Sequence, residues 1–239
     1  PFDVFSTPTY TFEMSVQGTA NVPIVNDPDT PYNESVLLTR GTTLGPNTIR
    51  YSGLEHIVMG GTEGVNRMQS GAGDDTLWGD GGNDRLEGGA GNDSLNGGAG
   101  DDIITDSFGD DNIKGGAGND VINGGPGLNL ILGGEGSDSI VTGNDVSEVF
   151  AGPGNDFIFG NTPNAAMFGN EGDDWIQNGT AGGSPGDNLD PFGRDPIRGN
   201  DVFVGSGNVD RFIGEGGDDL MNGMTGADRN EGGSGFDWV

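Results

Sequence analysis

The chain has 239 residues, of which 50 are Gly and none is Cys, and its formal net charge is -29. Apolar residues make up only 31%, so glycine entropy and like-charge repulsion both work against an ordinary globular core, and no disulfide staples the fold. The nine basic residues are scattered, which excludes a nucleic-acid face, and no apolar run of about 18 residues exists to span a membrane.

Residues 1–60 are richer in Thr, Pro and aromatics than the rest of the chain. Alternation in "PTYTFEMSVQG" predicts one or two strands. The segment reads as the end of an upstream domain or as a strand cap, since a stack of repeats needs its end layer covered. No basic n-region or apolar h-region comes after Pro1, and Val239 falls in the middle of a phrase, so both ends read as cuts in a longer protein.

From Gly61 to Gln177 the chain reads as thirteen consecutive nonapeptides without an insertion. Their eighth residues are Met68, Leu77, Leu86, Leu95, Ile104, Ile113, Ile122, Ile131, Ile140, Val149, Ile158, Met167 and Ile176, all apolar and none aromatic. The fourth is Gly in eleven of the thirteen, and the sixth is Asp in nine. Composition alone would give disorder; a period this strict gives a repeat architecture instead. Six residues of each phrase make a glycine-bearing loop. Three make a strand whose central side chain points inward. Such strands stand only when stacked on equivalents about 4.8 Å away. Two phrases close one eighteen-residue turn. The expected fold is all-β, a flattened right-handed parallel β-roll with a thin aliphatic spine.

Residues 178–195, "NGTAGGSPGDNLDPFGRD", break the pattern and read as a lid-like loop. Phrasing resumes at Pro196 in weaker copies, with sixth positions Asp201, Asp210, Asp219, Asp228 and Asp237. Residues 196–239 therefore read as a second, shorter roll segment, with calcium less firmly expected because several loops lack glycines.

The copies "GGAGNDSLN" (88–96), "GGAGNDVIN" (115–123) and "AGPGNDFIF" (151–159) resemble the RTX nonapeptide repeat, G-G-x-G-x-D-x-U-x, a calcium-binding β-helix signature. The resemblance implies a β-roll with Ca²⁺ between loops of successive turns. It implies that one loop gives the carbonyls of its second and fourth residues and its Asp. The loop eighteen residues on gives the carbonyls of its first and third residues and its own Asp. On one edge these carbonyls belong to Gly82, Gly97, Gly98, Ala99, Gly100, Gly115, Gly116, Ala117, Gly118, Gly133, Gly134, Glu135, Gly136, Gly152, Gly154, Gly169 and Glu171; on the other, to Gly71, Gly73, Gly88 and Ala90. The chemistry agrees: Ca²⁺ takes six to eight hard oxygen ligands, and each inner Asp would bridge two ions.

Because a turn is two phrases, the loops alternate between two edges. One edge carries Asn66 and then Asp84, Asp102, Asp120, Asp138, Asp156 and Asp174, an unbroken file for about five ions. The other carries Asp75, Asp93 and Asp111, then Asn129, Ser147 and Ala165, so two complete sites and a stop are expected. The roll should be lopsided. Over the later half the outward positions turn apolar, at Leu130, Leu132, Phe150, Phe157, Phe159 and Phe168. Clustered apolar surface of this kind marks an interface, so another domain of the parent chain is expected to pack near 128–177.

A looser likeness joins "LEHIVMGGTEG", "NEGDDWIQ", "PGDNLDPFG" and "GNDVFVG" to RTX regions in large bacterial haem peroxidases of the animal type. It covers repeat sequence alone and carries over no catalytic or haem-ligating residue. His56 is the only histidine and reads as structural or solvated, so no Ser-His-Asp constellation can be built. Paired acids such as Asp101 and Asp102 read as a ligand and its solvated neighbour rather than a general acid and base. "GEGGDD" lacks the Lys and strand–helix context of a phosphate loop, and no segment has EF-hand spacing. Trp78 and Trp175 read as packing residues. The third loop positions form no Thr/Asn ladder for ice binding.

The sequence thus predicts a calcium-folded module, non-catalytic in itself, of a larger protein secreted by a type I system. The alternatives are an accessory domain that positions or stabilises a secreted, peroxidase-like enzyme, and an adhesion or matrix module.

Overall fold

The structure is a computed structural model that describes residues 12–15, 35–38, 47–51, 56–145, 147–160, 166–178, 199–205, 211–214, 216–224 and 228–238. The 178–195 loop, apart from Asn178, and Asp210 and Ala165 lie outside the described residues.

Among the described residues there is no helix, and nearly all strand pairs are parallel. The chain steps alternately between two sheets, so each strand pairs with the one a full turn away. One sheet stacks Asn66–Gln69, Arg85–Glu87, Ile103–Thr105, Val121–Asn123, Ser139–Val141, Phe157–Gly160 and Trp175–Asn178. The facing sheet stacks His56–Thr62, Thr76–Gly81, Ser94–Ala99, Asn112–Ala117, Leu130–Glu135, Glu148–Phe150 and Ala166–Phe168. Upstream, Ser35–Leu38 pairs in parallel with the strand from His56. Asn47–Tyr51 pairs in parallel with the strand from Asn66 and antiparallel with Phe12–Ser15.

Register follows the phrase. Ile104 pairs with Ile122, Ile122 with Ile140 and Ile140 with Ile158; across the spine Leu95 pairs with Ile113 and Ile113 with Ile131. All thirteen eighth-position residues are buried, and they form one core cluster with Met59, Phe203, Phe212 and Met221. The alternation of a strand explains this: in Val121–Asn123 the flanking residues are exposed and Ile122 is fully buried. A one-residue slip would turn every aliphatic outward, so the spine fixes the register of the loops on both edges.

The sheet continues across the 178–195 interval. Val202–Val204 pairs directly with Trp175–Asn178, so Phe203 stacks on Ile176, and Met221 stacks on Phe203. The step from Asp174 to Asp201 is 27 residues rather than eighteen. Asp201 therefore lands on the edge that carries Asp174. Counting in nines would have put it on the opposite edge.

Candidate metal centre

Glycine shapes the loops in two ways. The second and fourth loop residues take left-handed backbone, as at Gly98 (φ 108), Gly100 (φ 126), Gly116 (φ 125) and Gly118 (φ 132). The first glycine is needed for space rather than for φ. A Cβ on Gly79, Gly97 or Gly115 would overlap Oδ2 of Asp84, Asp102 or Asp120, the sixth residue of the same phrase. Each loop therefore folds its acid back over its own first residue.

The loops also lock to one another through their third carbonyls. The N–H of Gly100 donates to the Ala99-equivalent carbonyl one turn on, that of Ala117, at 2.7 Å; Gly118 donates to Glu135 at 2.8 Å and Gly154 to Glu171 at 2.7 Å. A carbonyl has two lone pairs, so these oxygens can still serve a cation.

The inner acids form a continuous ladder. The N–H of Asn66 donates to Oδ1 of Asp84 at 2.7 Å, Asp84 to Asp102 at 2.7 Å, Asp102 to Asp120 at 2.8 Å, and Asp120 to Asp138 at 2.8 Å. Asp138 donates to Asp156 at 2.7 Å and Asp156 to Asp174 at 2.8 Å. The ladder then crosses to Asp201 and Asp219, both at 2.9 Å, and to Asp237 at 3.3 Å. On the second edge Asp75 donates to Asp93 and Asp93 to Asp111, both at 2.8 Å. Asp228 is half-buried over Gly223, where a Cβ would overlap its Oδ2.

Each accepting carboxylate of these ladders thus spends Oδ1 on a backbone donor. Oδ2 of Asp84, Asp93, Asp102, Asp111, Asp120, Asp138, Asp156, Asp174 and Asp219 is buried with no hydrogen-bond partner. A protein rarely leaves buried acceptors unmet, and here they recur layer after layer. Burial pushes these carboxyls up, Asp174 to about 8 and Asp84, Asp93, Asp111 and Asp138 to about 7. The backbone N–H partly offsets this, and neighbouring carboxylates add to it. Hard oxygens in excess, buried and without donors, fit a divalent oxygen-seeking cation such as Ca²⁺.

Asparagine closes a ladder at two ends. On the second edge Asn129 takes the sixth position, and its Oδ1 accepts the N–H of Asp111 at 2.9 Å. Its amide donates to the carbonyls of Gly124 and Gly125 at 2.7 and 3.0 Å, satisfying internally what an acid leaves open. At the start of the first edge the amide of Asn66 instead donates to the carbonyl of Gly64, the fourth residue of its loop, and to Oδ1 of Asp84 at 3.3 Å.

These observations decide the family. Residues 60–95, 96–131, 105–140, 132–162 and 198–229, more than half of the chain, match the RTX calcium-binding nonapeptide repeat. The chain belongs to that family. As an RTX chain it is a calcium-binding repeat module built as a β-solenoid of eighteen-residue turns. No curated protein matches it, and the looser likeness to haem peroxidases is not borne out.

Three features were not apparent from the RTX pattern. Asp106 stands in the first position of a loop, where the repeat has glycine, and lies buried beside Asp93 and Asp111. Its signal was the missing glycine itself. The Asn amides were visible only as gaps in the Asp series. The fifth residues form an outer, exposed ladder that runs the opposite way. Asp101 N–H donates back to Oδ1 of Asn83, Asn119 to Asp101, Ser137 to Asn119, Asn155 to Ser137 and Asp173 to Asn155. Beyond the interval Asn200 donates to Asp173 and Asp218 to Asn200. His56 donates its Nδ1 proton to the carbonyl of Asp74 at 2.9 Å, a role in joining layers.

Proposed function

We propose that this RTX module is folded by calcium, is non-catalytic in itself, and is part of a larger protein secreted through a type I channel. The observation that carries the reading is the file of buried, partnerless Oδ2 atoms. Asp84, Asp102, Asp120, Asp138, Asp156 and Asp174 would hold ions on one edge, with Asp201, Asp219 and Asp237 continuing it. Asp75, Asp93 and Asp111 would hold ions on the other. Bound calcium would supply the positive charge that offsets the stacked carboxylates.

Without it those carboxylates repel and the thin spine cannot hold the chain together. Unfolded at low cytosolic calcium, the chain suits passage through a narrow channel. At millimolar external calcium, binding energy becomes folding energy. Residues 61–177 form the main roll in this reading and 196–239 its weaker continuation. Circular dichroism in EGTA and then CaCl₂, with ion counting, tests it. Strand signal already complete in EGTA would overturn it.

A second reading, an accessory domain docked on a catalytic one, draws on the outward faces of the later turns. On one sheet Phe150 and Phe168 stack with ring centroids 4.8 Å apart, and on the opposite sheet Phe157 and Trp175 are exposed at 39% and 44%. Protection of residues 128–177 from proteolysis in the intact parent, but not in the isolated module, would support it.

A further inference from the structure

Asp106 occupies the loop position that glycine holds at residues 79, 88, 97, 115 and 133. Its side chain is 7% exposed, Oδ1 accepts the N–H of Gly89 at 3.0 Å, and Oδ2 has no partner. The side chain reaches back over Gly88, where a Cβ would overlap its Oδ1 and lie 2.5 Å from Oδ2 of Asp93. One carboxylate oxygen each from Asp93, Asp106 and Asp111 lies within 4.8 Å of the others. Asp93 and Asp111 are 2% and 3% exposed, and their Oδ2 atoms also lack partners. Among the described residues no basic side chain lies within ion-pair distance of the three. Three buried carboxylates converging in their ionised form without donors repel one another, and a bound cation offsets that repulsion.

We propose that Asp93, Asp106 and Asp111 form a three-carboxylate cation site, different in kind from the repeat's two-carboxylate sites, that binds calcium more tightly than any other site in the chain. The proposal rests on the calcium-binding reading above and adds one ligand that the repeat does not specify. Ligand charge count is a principal control of affinity at oxygen sites. A carboxylate about 4 Å from a doubly charged ion is worth about thirtyfold in affinity even at the dielectric constant of water. The site also ends the run that starts at Asp75, because Asn129 closes the next layer with its amide.

The test is stepwise calcium titration by calorimetry with ion counting, on the full chain and on Asp106→Asn and Asp106→Gly. The glycine variant restores the repeat residue, and the asparagine variant keeps an oxygen for the N–H of Gly89. The wild type should fill one site first, about thirtyfold ahead of the rest, and both variants should lose that step while folding at saturating calcium. Crystals of the wild type soaked in a lanthanide should place an ion in contact with all three carboxylates. Binding curves for the variants that match the wild type, or an ion not touched by Asp106, would overturn the proposal and leave the calcium reading intact. A wild-type chain that binds no calcium would overturn both.

Discussion

Asp120→Asn probes the middle of the longer edge. Asp120 is 1% exposed; its Oδ1 accepts the N–H of Asp102 at 2.8 Å, and its own N–H donates to Asp138 at 2.8 Å. Asparagine keeps both bonds and replaces the partnerless Oδ2 with an amide. Asn129 shows what that amide does: it donates to the first and second carbonyls of its own loop, here those of Gly115 and Gly116. The ladder survives, and two neighbouring cation sites each lose a charge and two oxygens. With free calcium a hundred times the dissociation constant, each site contributes about 2.7 kcal/mol, so the variant should lose about 5 kcal/mol of calcium-dependent stability. In EGTA the sign should reverse, because a buried charge has been removed from a repelling stack. Urea unfolding followed by circular dichroism in both conditions, with ion counting by equilibrium dialysis, measures each part. Asp101→Asn is the control, since Asp101 is exposed and belongs to the outer ladder. An Asp120→Asn chain that binds as many ions as the wild type, with the same stability gain, would refute the reasoning.

Three further outcomes rest on the same geometry. Asn129→Asp should add one ion between Asp111 and residue 129 and lower stability in EGTA; an unchanged ion count would show that the second edge ends for another reason. Gly97→Ala should weaken binding at the sites served by Asp102, because the new Cβ overlaps its Oδ2; wild-type calorimetry would contradict this. The calcium-free fold should be favoured by acid. Folded carboxyls at about 6 (Asp102, Asp156), 7 (Asp84, Asp138) and 8 (Asp174) lie above the ordinary value of 3.8. The folded chain therefore holds more protons than the unfolded one, and the stability they supply, complete below pH 3.8, is lost as pH rises through 6 to 8. Strand signal in EGTA that rose with pH would contradict this.

The spine was legible because burial and periodicity are the same signal in a stack this thin. Every residue from Met68 to Ile176 at the eighth position is an inward strand centre, with no tertiary context to override it. The sixth-position acids were legible as a series, and their burial follows from the glycine beneath them. Two things did not follow from a count in nines. One is the edge on which Asp201 falls, because periodicity fixes phase but not the length of chain between two successive rungs. The other is Asp106, because a pattern defined by its glycine slot registers an acid there only as a lapse. Its position between Asp93 and Asp111 depends on side-chain direction across two layers.

The outer ladder alternates. From Asn83 the fifth-position residues run Asn, Asp, Asn, Ser, Asn, Asp, Asn, Asp through Asp218, and on the second edge Asp74, Asn92 and Asp110 do the same. No two acids are adjacent in this exposed file, although each layer lies against the next. A neutral rung that stands between two acids is therefore a layer that cannot be deleted without penalty. Excising the single layer of Asn200 would set Asp173 against Asp218 with no neutral rung between them. On its outer edge, a chain that looks nonameric in sequence and eighteen-residue in its coils keeps its acids apart.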